Sequence, residues 1–154
     1  MGKEIERKFL VRGDGWRALA QPVRCRQGYL SIVPERTVRV RAMGGKGYLT
    51  IKGVMTGVTR AEYEYEIPAA DAERMLTDLC EKPLIEKSRS RISLGGIDWE
   101  VDEFSGDNRG LVLAEVELVS ADQVIAKPAW VGAEVSGDPR YFNSNLSQKP
   151  FTRW

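Results

Sequence analysis

The sequence predicts a mainly β protein: one domain, residues 1–154, built from eight antiparallel strands with a few helices outside them. Three observations support this fold class. Apolar and charged residues alternate with a period of two in nearly every segment, which is typical of strands with two different faces. Glycine-rich turns separate the segments. The chain length suits about one domain with a sizeable core, and 42% hydrophobic with 29% charged residues suits a folded one.

The predicted strands follow one another along the whole chain. In order they are Glu4 to Phe9, Arg24 to Ser31, Thr37 to Arg41, Tyr48 to Lys52, Arg60 to Ile67, Lys87 to Leu94, Ile97 to Phe104 and Leu111 to Leu118. The turns between them predict an antiparallel meander of hairpins. A two-residue turn at Gly95-Gly96 would set Arg91 opposite Glu100, and Arg89 opposite Asp102.

Three short helices are predicted beside the strands. One would run from Asp14 through Ala20, and a second from Asp71 to Cys80, where Met75, Leu76 and Leu79 recur at helical spacing. Ser120 and Gln123 form a capping box that predicts a third. The aromatic tail from Gly137 to Trp154 is expected to pack against the domain.

One face of the predicted sheet carries nearly all of the charge. Its residues are Glu4, Glu6, Lys8, Arg24, Arg26, Arg39, Arg41, Thr50, Lys52, Arg60, Glu62, Glu64, Glu66, Lys87, Arg89, Arg91, Glu100, Asp102, Glu115 and Glu117. The opposite face is mostly apolar and includes Phe9, Val40, Trp99 and Val116. Like charges repeat at positions i and i+2, about 7 Å apart by strand rise, so each pair repels unless an ion of opposite sign lies between its members.

This pattern predicts a site for metal and phosphate. Clustered carboxylate oxygens suit Mg²⁺, Mn²⁺ or Ca²⁺, and dense Arg and Lys suit a phosphate chain. If the eight strands curl with the charged face inward, they form a closed β-barrel tunnel with a charged interior. A one-sided sheet whose charged face meets water remains the alternative, in which case the protein would be purely structural.

Composition excludes several other chemistries. The chain has no His, so His-based nucleophilic catalysis and HExxH zinc sites are excluded. Cys25 and Cys80 are too few for a cysteine zinc or iron–sulfur site. With a formal net charge of +1 and no long apolar run, we expect no nucleic-acid partner, no membrane span and a cytoplasmic location.

An ordered set of motifs resembles the CYTH domain, the family of triphosphate tunnel metalloenzymes. The opening ExExK, Glu4 to Lys8, is followed by QGYL at Gln27, RVR at Arg39, LTIK at Leu49, RxExE at Arg60, Lys87-x-Arg89, EVDEF at Glu100 and AEVEL at Ala114. The resemblance covers nearly the whole chain. It implies an eight-stranded tunnel that binds a triphosphate together with divalent metal, Mg²⁺ or Mn²⁺.

The resemblance also assigns roles to individual residues. The implied metal ligands are Glu4, Glu6, Glu115 and Glu117. The implied phosphate ligands are Lys8, Arg39, Arg41, Lys52, Lys87 and Arg89. Glu62 and Glu64 match a strand that binds a second metal or orients water, and Tyr29 or Lys8 would accept the proton. Tyr29 is equally compatible with a packed aromatic residue.

Family members differ in substrate, and the chain most resembles the small bacterial inorganic triphosphatases. The expected activity is hydrolysis of tripolyphosphate, with weaker action on nucleoside triphosphates. A thiamine triphosphatase, a class IV adenylate cyclase and a non-catalytic polyphosphate-binding or nucleotide-binding module are the alternatives. The cyclases share an HF motif that a chain without His cannot contain. The oligomeric state is left open between monomer and homodimer.

Overall fold

The alternating segments form the walls of a closed antiparallel barrel. The structure is a computed structural model that describes residues 2–154. Its strands are β1 (Lys3–Val11), β2 (Val23–Ser31), β3 (Thr37–Met43), β4 (Lys46–Lys52), β5 (Thr59–Ile67), β6 (Ile85–Leu94), β7 (Ile97–Phe104), β8 (Val112–Glu117) and β9 (Val131–Glu134). Its α-helices are α1 (Ala69–Asp78) and α2 (Asn143–Leu146). All eight predicted strands are confirmed.

The strand order differs from the predicted meander. The sheet runs β5-β4-β3-β2-β6-β7-β8-β1-β9, and an additional β5–β1 pairing closes a ring of eight strands. Strands joined by short turns pair as hairpins, including β6 and β7 in the predicted register, with Arg91 opposite Glu100 and Arg89 opposite Asp102. The meander prediction is wrong at β1–β2 and β5–β6, because residues 12–22 and 68–84 are long connections that carry the chain to a different neighbour.

The ninth strand is not predicted by the sequence pattern. β1 extends beyond the end of its pairing with β5. Lys3, Glu4 and Ile5 pair with β5, whereas Phe9 and Val11 pair with β9. The short segment Val-Gly-Ala-Glu of β9 shows no alternation, so only its pairing with the free edge of β1 defines it as a strand. The additional strand satisfies backbone groups that would otherwise form an open sheet edge.

The helix predictions have three different outcomes. The second is confirmed as α1, and the first forms only a 3₁₀ turn, Arg17–Leu19. The third is wrong, and its capping box does not form: the side chain of Gln123 accepts a hydrogen bond from the Val119 amide at 2.7 Å rather than from that of Ser120, and the Ser120 hydroxyl donates to Asp122. Val119 and Val124 are 88% and 92% exposed, and within residues 119–127 only Ile125 packs against the outer core, which is little apolar burial to stabilise a short helix.

The main cores lie outside the barrel wall. Trp99 contacts Phe9 and Trp130 edge to face, with ring centroids 5.7 Å apart in both pairs. α1 packs Ala72 and Leu76 against Val40 on the opposite side. No helix in residues 2–154 combines the length and apolar character needed to cross a membrane.

We expect Gly47→Ala to lower the free energy of unfolding by about 1–3 kcal/mol, because overpacking forces the backbone apart. A Cβ at Gly47 would lie 2.6 Å from the Cβ of Ala72, where α1 meets β4. Urea unfolding measures the change. Gly15→Ala is the matched control, since a Cβ there meets nothing within 4 Å. Equal stability of the two variants would contradict this account of the helix–strand contact.

Candidate active site in the barrel lumen

The barrel interior brings the predicted site residues together. Residues directly opposite each other on paired strands share a face, and the ladders place all of the predicted side chains on the inner face. The central cavity is lined by Glu6, Lys8, Tyr29, Arg39, Lys52, Lys87, Arg89 and Glu115, together with Thr37, Arg60 and residues 142–144. Glu4, Arg41, Glu62 and Glu64 flank this cavity, and Glu117 is exposed at the rim.

The parity predicted for β2 is wrong. Cys25 lies opposite Lys87 and Gln27 opposite Arg41, so Cys25, Gln27 and Tyr29 face the lumen. Arg24 and Arg26 therefore face outward, and Arg26 pairs with Glu73 of α1 at 2.6 Å. The error arises because the inner residues of this strand are polar or weakly apolar, whereas its outer residues are charged.

Acids and bases bridge the lumen in pairs. The Lys52 ammonium lies 3.0 Å from a carboxylate oxygen of Glu4 and 3.2 Å from one of Glu62, and the Arg60 Nε lies 3.1 Å from Glu4. Burial alone would raise the pKa of Glu4, but Lys52 and Arg60 outweigh it and lower this pKa to about 2. Arg41 pairs with Glu64 at 3.1 Å. These bridges leave a central cavity of about 40 Å³.

Asp102 holds two of the phosphate-ligand candidates in place. It is fully buried and accepts from the Arg89 Nε at 2.8 Å and from an Arg89 terminal nitrogen at 2.9 Å. The ammonium of Lys87, which is almost as buried, lies 2.9 Å away. Burial would raise the pKa of Asp102, but Arg89 and Lys87 hold it well below the usual range. The sequence pattern places Asp102 on the charged face and opposite Arg89 but indicates no role for it.

Glu6 and Glu117 form the least compensated part of the lumen. They lie directly opposite each other on β1 and β8, and no Lys or Arg nitrogen of residues 2–154 approaches either within 4.0 Å. Burial and the neighbouring carboxylates Glu115 and Glu4 raise the pKa of Glu6 well above its usual value. Burial and Glu4 also raise the pKa of Glu117. Opposed like charges are destabilising, and a divalent cation with oxygen ligands would relieve them.

The carboxylates are not arranged as a complete metal centre. Within residues 2–154, no three Asp, Glu or Cys side chains converge on a common point suited to a metal ion. Glu4 instead meets Lys52 and Arg60, and Glu115 meets Lys8 at 3.7 Å and Arg89 at 3.8 Å. The donor chemistry of Glu6, Glu117 and Glu4 fits a hard cation, provided that Glu4 exchanges its basic partners for it.

Arg39 and Arg41 each have a side-chain donor without a hydrogen-bond acceptor in residues 2–154. The Nε atoms of both are buried without a hydrogen-bond partner in the described part of the chain. Buried donors are normally satisfied, so two adjacent orphaned guanidinium donors at the lumen indicate an anion site. Tyr29 lies beside them, and its burial raises the pKa of its hydroxyl despite the nearby cations.

The C-terminal segment, residues 139–154, covers one end of the lumen. Towards this end the inner face changes from charged to apolar. The next inward-facing residue after Lys8 is Leu10, the one before Lys87 is Ile85, and the one after Asp102 is Phe104. These apolar residues pack against Tyr141, Leu146 and Phe151, which confirms that the tail packs down.

Polar contacts also connect the C-terminal segment to the site. The Asn143 side-chain oxygen accepts from Gln27 at 2.8 Å and from Lys87 at 2.9 Å, and Lys8 donates to the Tyr141 carbonyl at 3.1 Å. Gln27, Asn143 and Arg60 are not among the predicted site residues. For Arg60 a sequence signal exists, because it lies on the same face of β5 as Glu62 and Glu64, which are predicted to be in the site. The contacts of Asn143 with Gln27 and Lys87 join residues far apart in the sequence, so no local pattern indicates them.

Comparison with known proteins gives the family. The model of the CYTH domain matches residues 2–146. The chain belongs to the CYTH domain family. An inorganic triphosphatase from Acetivibrio thermocellus is 55% identical over 151 residues, covering 98% of this chain and 97% of the relative. One from Nitrosomonas europaea is 39% identical over 150 residues, covering 94% and 96%.

A solved structure supports the same fold. The crystal structure of an inorganic triphosphatase superposes on this CYTH domain with a TM-score of 0.64 at 37% identity, covering 93% of this chain and 96% of that one. This confirms the resemblance and the closed barrel predicted from the sequence. The roles of the individual lumen residues remain predictions.

In EDTA, we expect the melting temperature of the CYTH domain to fall from pH 5 to pH 8, and the fall to be smaller in Glu6→Gln. The pKa of Glu6 is raised in the folded state, so the folded protein binds this proton more tightly than the unfolded chain does. The resulting stabilisation is present at low pH and is lost as the pH rises through the raised pKa. The exposed Glu35→Gln is the control. Identical pH profiles for wild type and Glu6→Gln would show that Glu6 carries no such penalty.

We expect Asp102→Asn to lower the free energy of unfolding by about 3–5 kcal/mol, because Lys87 and Arg89 would lose their buried counter-ion. Glu103→Gln on the same strand is the matched control. Glu103 is 43% exposed and pairs with Arg17 at the surface, so its loss costs at most about 1 kcal/mol. Urea unfolding compares the two. Similar losses would show that the buried network does not depend on Asp102.

Proposed function

We propose that this CYTH domain is a divalent-metal-dependent inorganic triphosphatase, which hydrolyses tripolyphosphate to pyrophosphate and orthophosphate. The observation that carries the proposal is the lumen itself: orphaned guanidinium donors of Arg39 and Arg41 lie within the same barrel as the uncompensated carboxylates Glu6 and Glu117. Relatives named inorganic triphosphatase match the chain over nearly its full length.

The basic residues fit a phosphate chain. Arg39, Arg41, Lys52, Lys87 and Arg89 line or flank the central cavity together with Lys8, so they can neutralise charge along a triphosphate. Lys52 and Arg41 would exchange their carboxylate partners for phosphate oxygens. Asp102 and Asn143 keep Lys87 in place during this exchange, because neither contact depends on the lumen carboxylates that would be released.

The carboxylates fit a divalent ion, with Mg²⁺ or Mn²⁺ as the proposed cofactor. Glu6, Glu117 and Glu4 would hold it, and Glu115 would join them when Lys8 and Arg89 turn to phosphate. When bound, the ion supplies Lewis acidity that neutralises negative charge on the phosphate oxygens. The family resemblance implies the same requirement.

A carboxylate is the better candidate for taking the proton from water. Burial raises the pKa of the Tyr29 hydroxyl, so it stays protonated at neutral pH and acts as a hydrogen-bond donor. Burial and the adjacent Glu4 raise the pKa of Glu62, which brings a carboxylate closer to the range in which a general base operates. Glu64 is occupied by Arg41 and Thr50, and Lys8 by Glu115 and the Tyr141 carbonyl. Lys8 is assigned to positioning, whereas Glu64 is the second candidate base, because it would be released from Arg41 as Glu62 would be released from Lys52.

Tryptophan placement is unfavourable for a thiamine triphosphatase. Trp16, Trp99 and Trp130 are buried in the outer core, and Trp154 packs against Tyr141 and Phe151 in the C-terminal segment. None of the four lines the central cavity in residues 2–154, so they offer no indole platform next to the phosphate ligands.

We expect phosphate release from tripolyphosphate with Mg²⁺ or Mn²⁺ to exceed release from ATP, thiamine triphosphate and pyrophosphate, and EDTA to abolish it. A colorimetric phosphate assay on the four substrates measures this. Either metal should also raise the melting temperature, because it relieves the repulsion between Glu6 and Glu117.

Two variants separate an enzyme from a binding module. Glu117→Gln should lose phosphate release while remaining folded, and Glu73→Gln, on the outer surface of α1, should retain it. Undiminished release in EDTA would refute the metal requirement. Absence of release from every substrate by the wild type, with a thermal shift by tripolyphosphate and Mg²⁺, would instead identify a binding module.

A further inference from the structure

The C-terminal segment contains a basic pocket that, within residues 2–154, has no lining residue in common with the central cavity. It measures about 440 Å³ and is lined by Arg140, Gln148, Lys149, Pro150, Arg153 and Trp154. We call it the tail pocket. Three of its side chains are cations, one is an amide and none is an acid. The proposed hydrolysis uses none of these residues, so their convergence needs a separate explanation.

Two cations of the tail pocket have no counter-ion. No carboxylate of residues 2–154 lies within 4.0 Å of the Lys149 ammonium or of the Arg153 guanidinium. Both residues are exposed, yet they line one concave surface rather than separate parts of the molecule. Cations that converge on a concave surface attract an anion and can donate to it together.

Arg140, the third cation, is held in place before any ligand binds. Its Nε and one terminal nitrogen donate to Oδ2 of Asp138 at 3.1 Å and 2.8 Å. Its guanidinium carbon lies 4.8 Å from the centroid of the Trp154 indole. The indole nitrogen in turn donates to the Lys149 carbonyl at 3.0 Å. A cation that is already ordered loses little entropy on binding, so Arg140 is preorganised for an anion.

We propose that the tail pocket binds inorganic pyrophosphate, a product of the proposed reaction, and that its occupancy weakens the binding of tripolyphosphate in the lumen. The identity of the ligand rests on the proposed function. A small polyanion suits three cations and an amide donor. An organic ring is less well suited, because the indole already contacts Arg140 and packs edge to face against Tyr141 and Phe151.

Tyr141 connects the tail pocket to the lumen. Its ring contacts the Trp154 indole, with centroids 5.1 Å apart, and its carbonyl accepts from the Lys8 ammonium at 3.1 Å. An anion bound to Arg140, Lys149 and Arg153 would tie together the chain on both sides of Tyr141. This would keep the carbonyl on Lys8, which must turn to phosphate when tripolyphosphate enters the lumen. The two anions therefore oppose each other, and the coupling is reciprocal.

Tryptophan fluorescence can test the binding site directly. Trp154 is 45% exposed, whereas the other three tryptophans are buried in the outer core and none of the four lines the central cavity. Titration with pyrophosphate in EDTA should give a saturable change in the emission of the wild type. The double variant Lys149→Gln/Arg153→Gln should bind at least about tenfold more weakly, since two charged donors are lost. Trp154→Phe should lose the signal, and the lumen variant Arg39→Gln should keep it.

The matched control removes two positive charges elsewhere. Arg36 and Arg74 are exposed and lie outside the tail pocket, so Arg36→Gln/Arg74→Gln should bind pyrophosphate as the wild type does. Equal affinity for sulfate and pyrophosphate would overturn the proposed site, because it would show only diffuse attraction to basic residues. A signal that is lost in Arg39→Gln and kept in the Lys149→Gln/Arg153→Gln variant would place the ligand in the lumen and overturn it too.

Steady-state kinetics test the coupling. In excess Mg²⁺, added pyrophosphate should raise KM for tripolyphosphate about fivefold more in the wild type than in Lys149→Gln/Arg153→Gln. Without pyrophosphate the two should have the same KM and kcat. An equal rise in both would overturn the coupling. Failure of the wild type to hydrolyse tripolyphosphate would overturn the triphosphatase proposal but not the metal-free titration, so the two failures are distinguishable. A melting temperature confirms that each variant is folded.

Discussion

The barrel depends on matching positive and negative charge inside a closed wall. An isolated charge moved out of water costs several kcal/mol or neutralises itself, so a lumen with many ionisable groups is stable only if most are paired. Asp102 with Lys87 and Arg89, and Glu4 with Lys52 and Arg60, provide this compensation at two levels of the barrel. The exceptions, Glu6 with Glu117 and the Nε atoms of Arg39 and Arg41, are therefore the groups that most need an external partner.

Much of this arrangement could be predicted from the sequence because strands encode their two faces with a period of two. The positions of eight strands, the Gly95-Gly96 register and the shared face of most charged residues follow from local pattern, whereas the inward direction of that face is implied by the family resemblance. The pattern fails at β2, where Cys25, Gln27 and Tyr29 face the lumen and the outer Arg26 pairs with α1. Polarity alone cannot separate two faces when the inner residues are not themselves charged.

Long-range connectivity could not be predicted in the same way. The pairing of β1 with both β5 and β9, and the placement of Asn143 against Gln27 and Lys87, join residues far apart in the chain. The capping box at Ser120 likewise predicts a helix wrongly, since Gln123 accepts from the Val119 amide instead of from that of Ser120, and Val119 and Val124 are exposed. A local sequence signal is therefore not sufficient for a short helix, because tertiary packing is what stabilises it.

The absence of His gives the lumen an unusual proton chemistry. Among the lumen carboxylates, Glu6, Glu62 and Glu117 have a raised pKa, so they are the acids that hold a proton most readily. The pKa of each is raised by burial and by a neighbouring acid, so each pKa would be lowered again when a cation enters among them. Cation binding and proton release are therefore coupled through the same repulsion. The net charge of +1 does not show this coupling, because it sums 23 basic and 22 acidic residues over the whole chain, inside and outside the lumen.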